Sequence, residues 1–390
     1  MASVRLLTAG ESHGPALVGI LDGIPAGLSL DAGTLLRDSG RRQKGAGAGA
    51  RMAIETDVAR ILSGVMAGRT TGAPIALVIE NRDHVHWKGV AVPPMTTPRP
   101  GHADLAGALK YGQDDFREVL ERASARDTAM RVAAGAVCRE FLAAFGIRIG
   151  GYVSAIGSVT ASLDGLSFES RIERASTNQA GCPDGGAAAA MEAAILQAGG
   201  AGETLGGVIE VIALGVPPGL GSYVQGDRRL DALLAAAVLS VPAMKGVEIG
   251  PAFDNARLLG TQVHDPIRKE GDRLVRPSDR CGGIEGGMST GQPIWIRAAM
   301  KPIPTTMKPQ PSVDGFTGEE APMRYERSDV CPVPRAVVVL EAVTALVLAN
   351  ALAEKLGGDS LDEMAPRFAS LSGASLSDLH LKGEHQVFWP

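Results

Sequence analysis

The chain has 390 residues, of which 50 are glycine, 45 % are hydrophobic and only 4 % are aromatic. The lack of a Gly-X-Y repeat excludes collagen, and the hydrophobic content together with a net charge of −5 excludes an intrinsically disordered protein. With 38 Lys and Arg against 43 Asp and Glu, we expect no nucleic acid and no membrane as partner, so anions must be bound by local clusters. The 4 cysteines are dispersed and form no CxxC pair, which favours a reduced cytoplasm over a zinc site or a disulfide framework.

Hydrophobic periodicity predicts a mixed α+β protein whose helices and strands do not alternate regularly. In chain order the predicted elements are strand Val18–Leu21, helix Asp31–Arg42, helix Asp57–Ala67, strand Ile75–Ile79, helix Arg126–Phe145, strand Ile147–Ile156, helix Gly186–Ala198, strand Val208–Leu214, helix Leu230–Leu239, strand Pro293–Ala298 and helix Ala336–Leu352. The last helix contains Glu341 and ends before Gly357, which favours a buried core helix over a membrane span. The proline-rich segment Pro302–Thr317 predicts a long surface loop.

No strand in this pattern is followed by GxGxxG or by GxxxxGKS/T, which disfavours a dinucleotide-binding fold and a P-loop. No linker rich in serine or proline divides the chain. We therefore expect a single domain over residues 1–390.

Histidines in glycine-framed turns are candidate acid–base residues: His13 lies in GESHG and His102 lies in RPGHAD. An imidazole with an ordinary pKa of about 6.5 can give or take a proton at neutral pH. The alternative is that each is a turn histidine bonded to nearby backbone. A metal site is disfavoured, because the HxH pair His84 and His86 has no cysteine or third ligand close in sequence.

Local groups of basic residues are candidate anion sites. Segment 39–52 carries cations around an alternating Gly–Ala run: Arg41, Arg42, Lys44 and Arg51. Backbone N–H groups there can approach a phosphate or carboxylate while guanidinium groups bind it, although a solvated basic loop is the alternative. In ERASARDTAMR, small residues lie between Arg122 and Arg126 and suit a flat ligand. Asp329 precedes the last predicted helix and either caps it or belongs to a site.

Eight short motifs follow one another along the chain. They are GESHG (10–14), DGIPAG (22–27), RPGHAD (99–104), ERASARDTAMRVAAGAV (121–137), AMKGVEIG (243–250), GGIEGGMSTGQPI (282–294), KPIPT (301–305) and RSDVCPVPRA (327–336). In order and spacing they resemble the chorismate synthase family over nearly the whole chain.

The resemblance implies an enzyme that converts 5-enolpyruvylshikimate 3-phosphate into chorismate by anti-1,4-elimination of phosphate and a hydrogen. This is the last step of the shikimate pathway of aromatic amino acid biosynthesis. The resemblance implies a requirement for reduced FMN without net redox change, with NADPH only as a source of electrons for the flavin. It also implies a β-α-β sandwich in which antiparallel sheets enclose helices, long active-site loops, a homotetramer and a cytoplasmic location.

Site residues follow from the same resemblance, motif by motif. His13 would protonate the departing phosphate, His102 would protonate or stabilise the reduced flavin, and Asp329 would accept the proton from flavin N5, directly or through water. The implied flavin contacts are Arg122, Ala123, Ser124, Pro242, Ala243, Gly286, Lys301, Pro302, Ile303, Pro304, Thr305 and Arg327. The implied substrate contacts are Ser12, Arg41, Arg42, Arg51 and Arg126, and no metal is implied.

The chain departs from the family pattern within these segments. Ala48 stands where GYGR has its arginine, and Asp279 stands where TNRAGG has its asparagine. In KPIPT, Pro304 stands where the family usually has a serine. This change removes a hydroxyl and a backbone donor. We expect activity with weakened ligand affinity. The alternatives that stay open are a flavin or nicotinamide oxidoreductase and a non-catalytic anion-binding or assembly protein.

Overall fold

The structure, a computed structural model, describes residues 4–47, 55–326, 328–371, 373–385 and 388–389. Its α-helices are α1 (Ala32–Gln43), α2 (Asp104–Tyr111), α3 (Phe116–Ala123), α4 (Thr128–Ala143), α5 (Phe168–Ala175), α6 (Gly185–Gly200), α7 (Leu230–Leu239), α8 (Ala252–Asn255), α9 (Gly260–Val263), α10 (Val333–Leu356) and α11 (Leu361–Ala369). Its β-strands are β1 (Arg5–Ala9), β2 (Ala16–Asp22), β3 (Ala59–Ile61), β4 (Val65–Met66), β5 (Arg69–Thr70), β6 (Ile75–Glu80), β7 (Arg148–Ile156), β8 (Val159–Thr160), β9 (Gly207–Leu214), β10 (Met244–Ile249), β11 (Arg268–Glu270), β12 (Arg273–Val275), β13 (Ile284–Glu285), β14 (Met288–Ser289), β15 (Ile294–Met300), β16 (Pro311–Val313) and β17 (Glu320–Pro322). Ala48, Arg51 and Arg327 lie outside the described residues.

The N-terminal part of the chain forms a four-stranded antiparallel sheet in the order β1-β2-β6-β3. Because side chains alternate along a strand, β2 and β6 point Leu17, Leu21 and Ile79 into the core. Gly19 of β2 has no room for a side chain, since a Cβ there would lie 2.6 Å from the sulfur of Met130. Helix α4, which carries Met130, therefore packs directly on this sheet.

A second antiparallel sheet has the strand order β10-β15-β9-β7-β8. Helix α10 covers one face of β7 and β9, and α5 covers the other face of β7. On that second face Tyr152 and Ile212 pack with Phe168 and Trp295. Cover on both faces explains why β7 and β9 are buried along most of their length.

Helices α4 and α10 form the layer between the two sheets. Helix α4 packs on β2 and β6, α10 packs on β7 and β9, and the two helices contact each other. The two helices are in tight contact at Gly135, where a Cβ would lie 2.4 Å from the Cβ of Ala342. The α+β class and the sandwich of antiparallel sheets around helices are confirmed.

Helix α10 is the core helix that the sequence predicts. It is long and apolar enough to cross a membrane, but most of it is buried inside the protein. Its buried face carries Glu341, which accepts hydrogen bonds from Arg41 of α1 at 2.5 and 2.7 Å and from Arg139 of α4 at 2.5 Å. An ionic cluster in the helical layer thus joins three helices.

Most predicted elements are confirmed with shifted ends, but the predicted helix Asp57–Ala67 is wrong. The chain there forms β3 and β4. Strand β3 pairs with β6 at the edge of the first sheet. Asp57 and Ala67 have φ of 46° and 49°, and Gly64 between them has φ of 80°. A Cβ on Gly64 would lie 2.7 Å from the carbonyl oxygen of Pro74, so the backbone at Gly64 passes close to the start of β6. Pairing with β6 overrides the local helical pattern.

Several elements of the structure are not among the predicted ones. Helices α2 and α3 follow the RPGHAD motif, and α3 contains the start of the ERASAR motif. The predicted loop Pro302–Thr317 is irregular as far as Gln310 and then contains β16, which pairs with β17.

Candidate active site

His13 lies in the turn between β1 and β2 and is held by α3. Its backbone N–H donates to Glu121 Oε2 at 2.7 Å, and its ring Nδ1 lies 2.7 Å from Glu121 Oε1. The ring packs against Trp87 with centroids 4.2 Å apart, and Nε2 lies 4.0 Å from Asp83 Oδ2. The side chain remains 15 % exposed. A carboxylate, not nearby backbone, therefore fixes the ring of this histidine.

The predicted flavin segment 122–124 lies beside the same turn. Ser12 Oγ donates to Ser124 Oγ at 3.2 Å. Arg122 donates to the carbonyl oxygen of Thr8 at 3.0 Å and pairs with Asp127 at 2.9 Å. The structure thus brings Ser12, the histidine after it and segment 122–124 together, although they are more than 100 positions apart in sequence.

Behind this turn lies a cluster of buried arginines and carboxylates. Arg42 donates to Asp57 at 2.7 Å, and Arg126 pairs with Asp57 and, at 3.3 Å, with Glu55. Arg126 also donates to Asn81 at 2.9 Å, and the Asn81 amide donates to main-chain carbonyls of the turn before β2. Two predicted substrate contacts are therefore close to each other and to that turn, with carboxylates of the chain fixing both guanidinium groups.

Asp329 extends this cluster. It forms an ion pair with Arg335 in the first turn of α10. Burial and the charge of Arg42 together lower the pKa of Arg335 to about 10, although the Asp57 carboxylate opposes the shift. The N-cap residue of α10 is Pro332, so Asp329 lies before the helix rather than at its N-cap position.

His102 has an arrangement of its own on the N-terminal side of α2. Its Nδ1 lies 2.5 Å from Asp104 Oδ1, and Arg99 donates to the same carboxylate through Nε at 2.8 Å. Burial opposes the ionisation of Asp104, but hydrogen bonds from Arg99 and His102 hold the pKa of its carboxyl well below its usual range. The pair is therefore an imidazole beside an ionised carboxylate.

The predicted flavin segment 301–305 lies next to the turn that carries His102. Lys301 Nζ donates to the carbonyl oxygen of Gly101 at 2.5 Å, and Lys301 N–H donates to the carbonyl oxygen of Ala243 at 3.0 Å. At the other end of the segment, Ser328 Oγ donates to the carbonyl oxygen of Thr305 at 3.1 Å. Ser328 directly precedes Asp329, which extends the arginine cluster behind the His13 turn. Segment 301–305 therefore connects the region of His13 with the region of His102.

Two cations and an unusual backbone mark this segment. Burial and the charge of Lys245 lower the pKa of Lys301. In the part of the chain that the structure describes, neither the Lys245 nor the Lys301 ammonium group forms an ion pair with a carboxylate. Ala243 has φ of 69°, which is uncommon for a residue with a side chain and is often found at functional sites. Neighbouring cations without an acidic partner fit a phosphate-bearing cofactor.

Other predicted contacts lie apart from these clusters or are not tested. Arg41 faces the ionic cluster of the helical layer and bonds to Glu341. Gly286 lies in the turn between β13 and β14, where a Cβ would meet open space. Two cavities, of about 310 and 480 Å³, contain none of the predicted site residues. The roles of Arg41 and Gly286 toward a ligand remain predictions.

The carboxylates that hold the basic residues of the site are not among the predicted site residues. They are Glu55, Asp57, Asp104 and Glu121. Asp104 and Glu121 do lie inside quoted motifs, RPGHAD and ERASAR, and that proximity was the available signal. Nothing in the sequence shows that Glu121 meets a residue 108 positions away.

Comparison with known proteins identifies the family of the chain. The family model described as "Chorismate synthase" matches residues 4–353. The chain belongs to the chorismate synthase family. It is 53 % identical to the chorismate synthase of Chlorobaculum tepidum, covering 93 % of this chain and 96 % of that protein. It is 51 % identical to that of Symbiobacterium thermophilum, covering 94 % and 97 %.

A solved structure supports the same family. The protein titled "Crystal Structure of Chorismate Synthase" is 43 % identical, with a TM-score of 0.78, and the match covers 94 % of this chain and 96 % of that one. As a member of the chorismate synthase family, the chain is an enzyme of the carbon–oxygen lyase class. The resemblance drawn from the motifs is confirmed.

Proposed function

We propose that this chorismate synthase family member converts 5-enolpyruvylshikimate 3-phosphate into chorismate by anti-1,4-elimination of phosphate, as the last step of the shikimate pathway. The observation that carries the proposal is the joining of His13, Ser12 and Ser124 to the Arg42 and Arg126 cluster. A proton carrier beside fixed cations is what the departure of a phosphate requires.

His13 would give a proton to the leaving phosphate. Its ring is held by Glu121 and Trp87 and is partly exposed, so it can face a ligand without losing its orientation. Asp329 would accept a proton from the cofactor, and Arg335, which pairs with it, would hold its carboxylate in place. His102 would hold or deliver a proton at the flavin.

The substrate carries a phosphate and two carboxylates, and the proposal places the arginine cluster against them. Arg42 and Arg126 are less than 10 % exposed and are fixed by Asp57, so their orientation is set before a ligand arrives. Arg41 and Arg51 complete the proposed substrate contacts. Fixed guanidinium groups bind phosphate and carboxylate with defined geometry.

We propose reduced FMN as the cofactor, held by residues 122–124, by Pro242 and Ala243, by Gly286, by segment 301–305 and by Arg327. When bound, reduced FMN supplies a transient electron to the substrate without net redox change. Lys301, with Lys245 beside it, would meet the cofactor phosphate, and the carbonyl oxygen of Gly101 holds the Lys301 ammonium in place. NADPH would serve only to reduce the flavin.

We also propose a single domain over residues 1–390, a homotetramer and a cytoplasmic location. The single domain is supported by one apolar core cluster that includes residues of both sheets and of the helices between them. The tetramer and the location rest on family membership.

The test is an anaerobic assay with purified protein, reduced FMN and 5-enolpyruvylshikimate 3-phosphate, in which chorismate and released phosphate are measured. We expect both products in equal amounts. His13→Gln should lower kcat by about 10²- to 10⁴-fold, because it removes the proton donor. His86→Gln is the matched control, since His86 is exposed, and it should leave kcat unchanged. Absence of chorismate with the unaltered chain would refute the proposal, and NADPH oxidation without chorismate would favour an oxidoreductase.

A further inference from the structure

Both oxygens of one carboxylate hold His13. Glu121 Oε2 accepts from the His13 backbone N–H, and Glu121 Oε1 faces ring Nδ1, each at 2.7 Å. Glu121 lies on α3, and its own carbonyl oxygen accepts from the N–H of Ser12 at 3.0 Å. The residue therefore fixes the main chain of the turn and the ring together.

The Glu121 carboxylate is ionised where it meets the ring. Burial opposes its ionisation, but hydrogen bonds from His13 and the charge of Arg117 lower its pKa. An ionised carboxylate only accepts hydrogen bonds, so the nitrogen that faces it must carry a proton. In the neutral ring, Nδ1 then holds the proton and the lone pair lies on Nε2.

The remaining contacts of the ring leave Nε2 as the reacting atom. Trp87 covers a ring face, which fixes the plane of the imidazole. Asp83 lies 4.0 Å from Nε2, beyond hydrogen-bond distance. Glu121 thus occupies Nδ1, which leaves Nε2 as the ring nitrogen for a ligand.

We propose that Glu121 is a positioning residue that keeps a proton on His13 Nδ1 in both charge states, so that the imidazolium gives its Nε2 proton to the leaving phosphate and the neutral Nδ1–H ring remains. This inference rests on the proposed function. His102 has a related arrangement, with Asp104 2.5 Å from Nδ1, but Arg99 also approaches that nitrogen at 2.9 Å. The His13 pair therefore gives the clearer test.

Glu121→Gln separates positioning from packing. Glutamine has the same size but a single acceptor oxygen, and the two donors of His13 compete for it. The backbone N–H cannot lose its proton and so takes that oxygen, which turns the amide NH₂ toward Nδ1. Nδ1 must then accept a hydrogen bond, and the ring proton moves to Nε2. The variant keeps the fold but reverses the two ring nitrogens.

The kinetic test compares Glu121→Gln with Glu118→Gln. Glu118 is on the same helix and exposed, so it matches the chemical change without touching His13. For Glu121→Gln we expect kcat to fall roughly 10- to 100-fold with KM and the FMN dissociation constant within about threefold. The control should match the unaltered chain. An unchanged kcat, or a loss confined to KM, would overturn the inference.

A measurement without ligand separates this inference from the proposed function. With ¹⁵N-labelled histidine, two-bond proton–nitrogen correlation spectra at pH 8.5 report which ring nitrogen carries the proton, and His13→Gln identifies the His13 signals. We expect Nδ1–H in the unaltered chain and in Glu118→Gln, and Nε2–H in Glu121→Gln. Nε2–H in the unaltered chain would refute the positioning role even if chorismate is formed. Conversely, absence of chorismate would refute the proposed function whatever the spectra show.

Discussion

Replacing Asp279 with asparagine should stabilise the protein at pH 8. Asp279 lies in the loop between β12 and β13, where its Oδ1 accepts from the Gly283 N–H at 2.8 Å. Within the described residues its Oδ2 is buried without a hydrogen-bond partner. Burial, together with the nearby Asp265 carboxylate, raises the pKa of Asp279 to about 6, although hydrogen bonds from Gly283 and Cys281 and the charge of Arg276 oppose the shift. The charged form is therefore disfavoured in the folded chain.

The sign and size of the effect follow from linkage. Because the folded-state pKa of Asp279 lies above its unfolded value, protonation favours the folded state, and that stability is lost as pH rises through about 6. A change from 3.8 to about 6 corresponds to at most roughly 3 kcal/mol. Partial solvation of the carboxyl reduces this to about 1–2 kcal/mol. Asparagine cannot ionise and keeps the acceptor for Gly283, so it avoids the cost.

The assay is thermal unfolding of Asp279→Asn and the unaltered chain between pH 5 and pH 8. We expect the variant to have a Tm higher by about 1–3 °C at pH 8, with the difference shrinking as pH falls below 6. Asp114→Asn is the control, because Asp114 is exposed, and its Tm should not change. A Tm difference that is constant with pH, or a variant that is less stable at pH 8, would refute the electrostatic reasoning.

Two further substitutions test the helical layer. Gly135→Ala should lower the free energy of unfolding by about 1–3 kcal/mol, because the new Cβ would lie 2.4 Å from the Ala342 Cβ and the strain exceeds the gain in helix propensity. Its thermal midpoint measures the loss. Glu341→Gln should cost about 1–3 kcal/mol, because the buried Glu341 loses its charge while the partly exposed Arg41 and Arg139 keep only their longer pairs with Asp38. Urea unfolding at pH 7 measures it.

A matched variant for each substitution separates tight packing from helix propensity, and a buried carboxylate from an exposed one. Gly185→Ala adds a Cβ in open space at the start of α6 and should be neutral or slightly stabilising. Glu354→Gln removes an exposed pair with Arg228 and should change stability by less than about 1 kcal/mol. Equal stability changes in Gly135→Ala and Gly185→Ala would contradict the packing explanation. Equal changes in Glu341→Gln and Glu354→Gln would contradict the explanation from the buried carboxylate.

The sequence was sufficient where local pattern and tertiary context agree. The apolar stretch of α10 and the alanine-rich α6 are helical on their own composition and are found as predicted. The motifs located both histidine turns, since glycines that permit tight bends lie next to them in sequence. Family membership also followed from the order of the motifs.

The sequence failed where a distant segment decides the structure. Residues 57–67 have a helical pattern, but β6 offers unpaired backbone groups, and β3 forms against them. Likewise, nothing local shows that Asp57 lies between Arg42 and Arg126. Such contacts depend on how the sheets and helices pack, and that packing sums many weak interactions across the whole chain.

The site shows the same division. The sequence alone identified His13, Ser124 and Arg126 as candidates, because their residue types and motifs carry the chemistry. Only the tertiary structure placed Glu121 on the His13 ring, since that hydrogen bond joins residues 108 positions apart. Residue type sets which proton can move, and the folded neighbours set which atom it moves through.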